Sequence, residues 1–148
     1  DPISRMALWD LVYSLAEQGT SILVTTHYMD EAENCHRLAF IYQGRIVAAG
    51  TPREMKEQQM YGEVLEIDCD GVEAALLALR GSNLFDEVAL YGSLIHAIGD
   101  DASGKIPRVR EVLQSKKISI NSVESIAPSL EDVFIARLRS AENVKSKT

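Results

Sequence analysis

Glu63-Val64-Leu65-Glu66-Ile67-Asp68-Cys69-Asp70 decides the fold of the longer half of the chain. Leu65, Ile67 and Cys69 fall on one side of an extended backbone, and Glu66, Asp68 and Asp70 on the other. Alternation with one polar face predicts a half-exposed strand of an open sheet. Downstream, Val72 to Arg80 has the spacing of an amphipathic helix. Phe85 to Tyr91 and Leu94 to Ile98 are strand-like runs joined by the tight turn Gly92-Ser93. Ile106 to Ser115 predicts a second helix. Ile118 to Ile126 predicts a strand whose phase slips between Asn121 and Val123, the mark of a bulge. The order β-α-β-β-α-β is two strand–helix–strand halves in tandem, which predicts a ferredoxin-like α+β sandwich. Beyond Pro128, Ser129 is placed to cap a last helix, Leu130 to Arg139, with Asp132 as its capping-box partner. Glu142 to Thr148 is polar and predicted to fray.

Upstream the grammar differs. Asp1-Pro2 opens a helix, with Asp1 as N-cap and Pro2 at the first helical position. Its apolar residues cover more than one stripe, so Ile3 to Glu17 is predicted to be heavily buried. Gly19 stands where a glycine stop belongs. Ser21-Ile22-Leu23-Val24-Thr25-Thr26 does not alternate, and so predicts a strand inside a parallel sheet covered on both faces. His27 falls at its carboxyl end, where open parallel sheets bind ligands. A short helix, Met29 to His36, comes next with an acidic first turn. Then come Leu38 to Tyr42 and Arg45 to Ala49, joined by Gln43-Gly44, and a helix start at Thr51-Pro52-Arg53-Glu54. Residues 1–60 therefore read as the tail of a parallel α/β domain, and residues 61–148 as a small complete α+β domain. An opening on a helix boundary without an initiator Met predicts a piece of a longer protein.

Composition narrows the function classes. The 148 residues carry 15 Lys+Arg and 22 Asp+Glu, a net charge of −7. Neutralising nucleic-acid phosphates needs clustered Lys and Arg, so a general nucleic-acid binder is excluded. The longest apolar run, Ala74 to Leu79, is far below the roughly 20 residues a membrane-spanning helix requires. Cys35 and Cys69 lie in no CxxC pair, which predicts reduced, buried small residues and no zinc site.

Among candidate site residues, His27 ranks first by position, because an imidazole there can donate to a phosphate oxygen or orient a water. Gly99-Asp100-Asp101-Ala102-Ser103-Gly104-Lys105-Ile106 matches a phosphate-binding loop in all but its last position. Ile106 has no hydroxyl for Mg²⁺, and two aspartates would sit in the anion cradle. The run therefore reads as a glycine-rich turn. Asp30, Glu31 and Glu33 in one helical turn complement the helix dipole rather than form a metal cluster. Lys116-Lys117 and the lysines of residues 145–147 are too short for a basic patch.

Together these residues carry a resemblance. Ile22-Leu23-Val24-Thr25-Thr26-His27-Tyr28-Met29-Asp30-Glu31-Ala32-Glu33 resembles the switch (H-loop) segment of ABC transporter ATPases. Arg37 to Ile41, Gly44 to Val47 and Gly50-Thr51-Pro52 resemble the stretch just downstream of the H-loop in that family, and Asp1-Pro2 resembles the end of the D-loop. Pro128-Ser129-Leu130-Glu131-Asp132-Val133-Phe134 is similar to the accessory domain of ATPases serving ABC-2-type exporters. The resemblance implies that residues 1–60 are the tail of a P-loop ATPase parallel sheet. It implies that His27 is the switch histidine contacting the γ-phosphate, and Asp1 the acid facing a partner ATPase. It also implies a parent that uses ATP and Mg²⁺, dimerises, and serves a membrane-spanning permease from the cytoplasmic face. The Walker A, signature and Walker B motifs are not in these residues. No cofactor, metal or ATP hydrolysis is expected of the chain by itself. The rival reading is a ferredoxin-like small-molecule-sensing or dimerisation module.

Overall fold

The computed structural model describes residues 2–145, and the side chains of residues 3–142. Helix α1 (Pro2–Glu17) ends in a glycine stop: Gly19 takes φ +87°, its N–H donates to the Ala16 carbonyl, and that of Thr20 donates to Leu15. Those paired bonds are the Schellman pattern. The short helix α2 (Met29–Ala32) precedes an antiparallel hairpin, β1 (Leu38–Tyr42) and β2 (Arg45–Gly50). Gln43 and Gly44 both take positive φ in its turn, as a type I′ connection requires. Helix α3 (Pro52–Gln58) starts on the expected capping box: the Glu54 N–H donates to the Thr51 hydroxyl, and the Thr51 N–H to the Glu54 carboxylate.

From residue 63 the elements are β3 (Glu63–Cys69), α4 (Val72–Gly81), β4 (Glu87–Tyr91), β5 (Leu94–Gly99), α5 (Ile106–Ser115) and β6 (Ile120–Ile126). They form an antiparallel sheet in the order β4-β5-β3-β6. This order is compatible with the sandwich expected from the sequence. The bulge is present too: Asp68 pairs with Ser122 and Cys69 with Ile120, so Asn121 is the extra residue on β6. Leu65, Ile67, Ile95, Ala97 and Val123 pack against Ala75 and Leu79 of α4 and Val109 and Leu113 of α5.

Helix α6 (Leu130–Lys145) runs past the predicted end at Arg139 and joins the two parts of the chain. Its Leu130 and Val133 are buried with Ala32, Phe40, Ala48 and Met55, and the Phe134 ring meets Phe40 edge-on at 5.1 Å. Arg139 pairs with Glu87 on β4 at 2.7 Å, and Tyr42 on β1 donates to Glu142 at 2.9 Å. So α6 packs on the hairpin, on α2 and α3, and on β5 at once.

Two expectations for residues 1–60 are corrected. Ser21–Thr26 is not a strand: residues 20–26 carry no ladder, and both sheets are antiparallel. A strand exists only with a partner for its N–H and C=O groups, and the β1–β2 hairpin does not reach this segment. Nor is α1 heavily buried. Ile3, Met6, Leu8 and Leu11 are 77, 68, 56 and 56% exposed, and among the described side chains of α1 only Trp9, Val12 and Ala16 are half-buried. The helix is covered along one stripe and exposes its other apolar side chains.

Candidate functional site

His27 lies exposed at the end of the extended segment, two residues before α2 begins at Met29. Its backbone surroundings are fixed by Thr26. The Thr26 hydroxyl accepts the Tyr28 N–H at 3.0 Å and donates to the Glu31 carboxylate at 2.5 Å. Next to it, the His27 and Tyr28 rings lie 4.2 Å apart, and the Arg5 guanidinium sits 5.3 Å from the centre of the Tyr28 ring. Arg5 also faces Glu31 at 3.6 Å, while the Tyr13 hydroxyl donates to the Asn34 carbonyl at 3.0 Å. These contacts tie α1 to the segment that carries His27. A groove of about 1100 Å³ is lined by Trp9, Val12 and Ala16 of α1 together with Ile22, Val24 and His27. The imidazole is thus exposed along an apolar groove, where it can donate to an incoming oxygen.

The other candidates separate cleanly. Asp1 lies outside the described residues. Glu31 is engaged by Thr26 and Arg5, and Glu33 by Lys56 at 3.0 Å. His36 is exposed. Among the described residues no group of three or more His, Cys, Asp or Glu side chains could hold a metal ion. Cys35 and Cys69 are free, Cys69 buried and Cys35 half-buried. Burial first, and then the nearby carboxylates Glu31 and Asp68 respectively, push both thiols above their ordinary pKa, so neither is an activated nucleophile.

The loop of residues 99–106 does not fit a phosphate. The Ser103 N–H, which a cradle would aim at an anion, donates to the Glu63 carboxylate at 2.8 Å. That bond, with the Ser103 hydroxyl, holds the Glu63 carboxyl below its ordinary pKa. The Asp101 carboxylate lies so close to Gly104 that a Cβ there would fall 2.5 Å from it. Lys105 turns back to donate to the Asp100 carbonyl at 2.7 Å. Carboxylates of the chain itself occupy the place an anion would take.

One cluster is not visible in the sequence pattern. His96, on β5, is 2% exposed, and both its ring nitrogens face carboxylates. Nδ1 lies 2.7 Å from Asp132 Oδ1 and Nε2 lies 3.2 Å from Glu66 Oε2. The Tyr91 ring stacks on it at 4.3 Å. Asp132, 1% exposed, spends its other oxygen on the α6 cap, accepting from the Ser129 N–H at 2.8 Å and the Ser129 hydroxyl at 2.7 Å. Burial by itself would lower the His96 pKa; the bonds and charges of Asp132 and Glu66 outweigh it and hold the ring above its ordinary value. Burial likewise pushes Asp132 up, and the His96 bond and the Ser129 bonds bring it below the usual carboxylate value. Alternation alone puts His96 on the sheet face opposite α4 and α5, where a polar residue reads as solvated. The signal that could have found it is the Ser129–Asp132 capping box, which delivers a second acid onto that face.

No protein-family model matches the chain. Comparison with curated proteins finds clear relatives. The Nod factor export ATP-binding protein I of Paraburkholderia xenovorans is 43% identical over 136 residues, which is 91% of this chain and 42% of that protein. The protein of the same name from Burkholderia thailandensis is 46% identical over 102 residues, 68% of this chain and 33% of its own length. The probable multidrug ABC transporter ATP-binding protein YbhF of Escherichia coli is 43% identical over 63 residues, 43% of this chain and 11% of that protein. The chain spans less than half the length of each of these relatives.

Proposed function

From this kinship with the ATP-binding proteins of ABC transporters, we propose that the chain is a segment of the ATP-binding subunit of an ABC exporter, with His27 as its switch histidine and residues 61–148 as a regulatory or dimerisation domain. The 136-residue alignment carries the reading, because it runs through both parts of the chain. Export in the names of two relatives supports the direction of transport. The exposed imidazole of His27, with its backbone pinned by Thr26, supports the role of a donor to a terminal phosphate oxygen. Phosphoryl transfer needs a phosphate cradle, a held Mg²⁺ and an oriented nucleophile. The residues here fit only part of the last requirement, so ATP and Mg²⁺ would be held by other segments of the ATPase. Asp1 would face a second ATPase subunit, and the pair would serve a membrane-spanning permease from the cytoplasmic side. No helix of the described residues is long and apolar enough to cross a membrane.

His27 would act where charge develops. One such donor is worth about 3 kcal/mol in the transition state, or roughly 100- to 1000-fold in turnover. In the full-length ATPase, His27→Ala is expected to lower steady-state hydrolysis by that factor while leaving nucleotide affinity nearly intact. Turnover equal to the parent enzyme's would overturn the switch assignment. For the chain by itself, calorimetric titration with Mg-ATP should show no saturable heat. Tight binding that Lys105→Ala abolishes would instead make the loop at Gly99 a nucleotide site.

A further inference from the structure

We propose that His96 is held as a buried imidazolium between Asp132 and Glu66, and that this charge is a proton-controlled clasp fixing α6 across the seam of the molecule. The count of donors and acceptors requires it. A neutral imidazole has one N–H and one bare nitrogen, whereas the imidazolium has two donors. Each ring nitrogen of His96 faces a carboxylate oxygen, at 2.7 and 3.2 Å. The neutral ring would aim a lone pair at one of those carboxylates, in a site where an unpaired polar group is costly. With both carboxylates ionised, only the charged ring satisfies both.

The surroundings agree in sign. Asp132 of α6 and Glu66 of β3 contact the ring, and Tyr91 of β4 stacks on it. Glu124 of β6 pairs directly across from Glu66, and the charges of Glu131 on α6 and Asp30 on α2 reach Tyr91. Every charged group named here is an acid. Removing the proton would leave the Asp132 and Glu66 carboxylates facing a neutral ring.

The clasp matters because of where α6 goes. Asp132 is both the His96 partner and the capping-box partner of Ser129 at the head of α6, and the first turn of that helix buries Leu130 and Val133 against the hairpin and α3. Loss of the proton therefore loosens the helix that joins the sandwich to the elements just after His27. None of this depends on the proposed transport role; it concerns the chain as it stands.

Two measurements on the 148-residue chain test it. In nitrogen-15 spectra at pH 7, both ring nitrogens of His96 should show the protonated shift, each with a bound hydrogen; a single N–H tautomer would overturn the proposal. Chemical unfolding across pH supplies the linkage. Between the unfolded-state value of about 6.5 and the folded-state value, the native chain holds one proton more than the unfolded chain. The unfolding constant should then rise with pH by up to about tenfold per unit relative to His96→Gln. The exposed His27 and His36 cancel in that comparison. Parallel profiles for the two proteins would sink the idea. Glu66→Gln, at a half-exposed site, should move the alkaline loss of stability to lower pH; an unmoved transition would count against the clasp. If the His96 variant does not fold, the spectrum of the unaltered chain and the Glu66 variant still decide.

Discussion

Asp132 uses each carboxylate oxygen for a different element: Oδ1 faces His96 on β5, and Oδ2 accepts from the Ser129 N–H and hydroxyl at the head of α6. The two tasks have different worth. Ser129→Ala removes a cap and is expected to cost about 1 kcal/mol in urea unfolding. Asp132→Ala also strands a buried His96, and breaking a buried charge pair costs about 3–5 kcal/mol. Equal losses for the two variants would show that the His96 contact contributes little. The acid side is set by the direction of the Asp132 shift. Its folded-state pKa is depressed, so its contribution is present above the unfolded carboxylate value, near 3.9, and is lost as pH falls through the folded value. The stability of the unaltered chain should fall more steeply below that point than that of Asp132→Asn.

At the scale of elements, glycines separate what the backbone demands from what it tolerates. Gly62 enters β3 at φ +74°, and a Cβ there would sit 2.9 Å from the Gly99 backbone. Gly62→Ala is expected to cost about 1–3 kcal/mol, since a non-glycine residue held in this region carries strain of that order. Gly81 ends α4 with ordinary φ and nothing within 4 Å of an added Cβ, so Gly81→Ala should be neutral or stabilise by up to about 1 kcal/mol. Thermal or urea unfolding of the two variants gives the contrast; similar effects would mean that the Gly62 approach is slack. The same division explains what is legible in the sequence. The Thr51–Glu54 box, the Gln43-Gly44 turn, the Asn121 bulge and the bounds of α5 are set by residues within a few positions of one another, and each stands where the sequence puts it. Ile22–Val24 misleads because β-branched density signals burial, and whether a partner strand is present is not a local property. His96 stays hidden for the converse reason, since its partners lie 30 and 36 residues away.

On the scale of the whole molecule, burial is lopsided. Met55, fully buried under α6, anchors one small core, and Met55→Ala should cost about 2–5 kcal/mol. Beyond that core the chain presents apolar surface outward. Leu23 is 93% exposed, Tyr28 49%, and the outer face of α1 shows Ile3, Met6, Leu8 and Leu11. Leu23 and Tyr28 line the groove of about 1100 Å³, and residues 21–26 offer backbone N–H and C=O groups with no ladder partner. Large apolar side chains exposed in this number favour an interface, and an unpaired extended segment is a template for another chain. The isolated chain is therefore expected to self-associate, most simply as a twofold dimer in which this face meets its copy. The net charge of −7 opposes association at low ionic strength, so added salt should strengthen it as the repulsion is screened. Light scattering across a dilution series measures the mass. Leu23→Glu and Leu11→Glu, both on exposed side chains, should shift the chain toward monomer without loss of folding stability. A monodisperse monomer at all concentrations, with amides of residues 20–26 strongly protected from hydrogen exchange, would mean that the segment buries itself and that the face is closed.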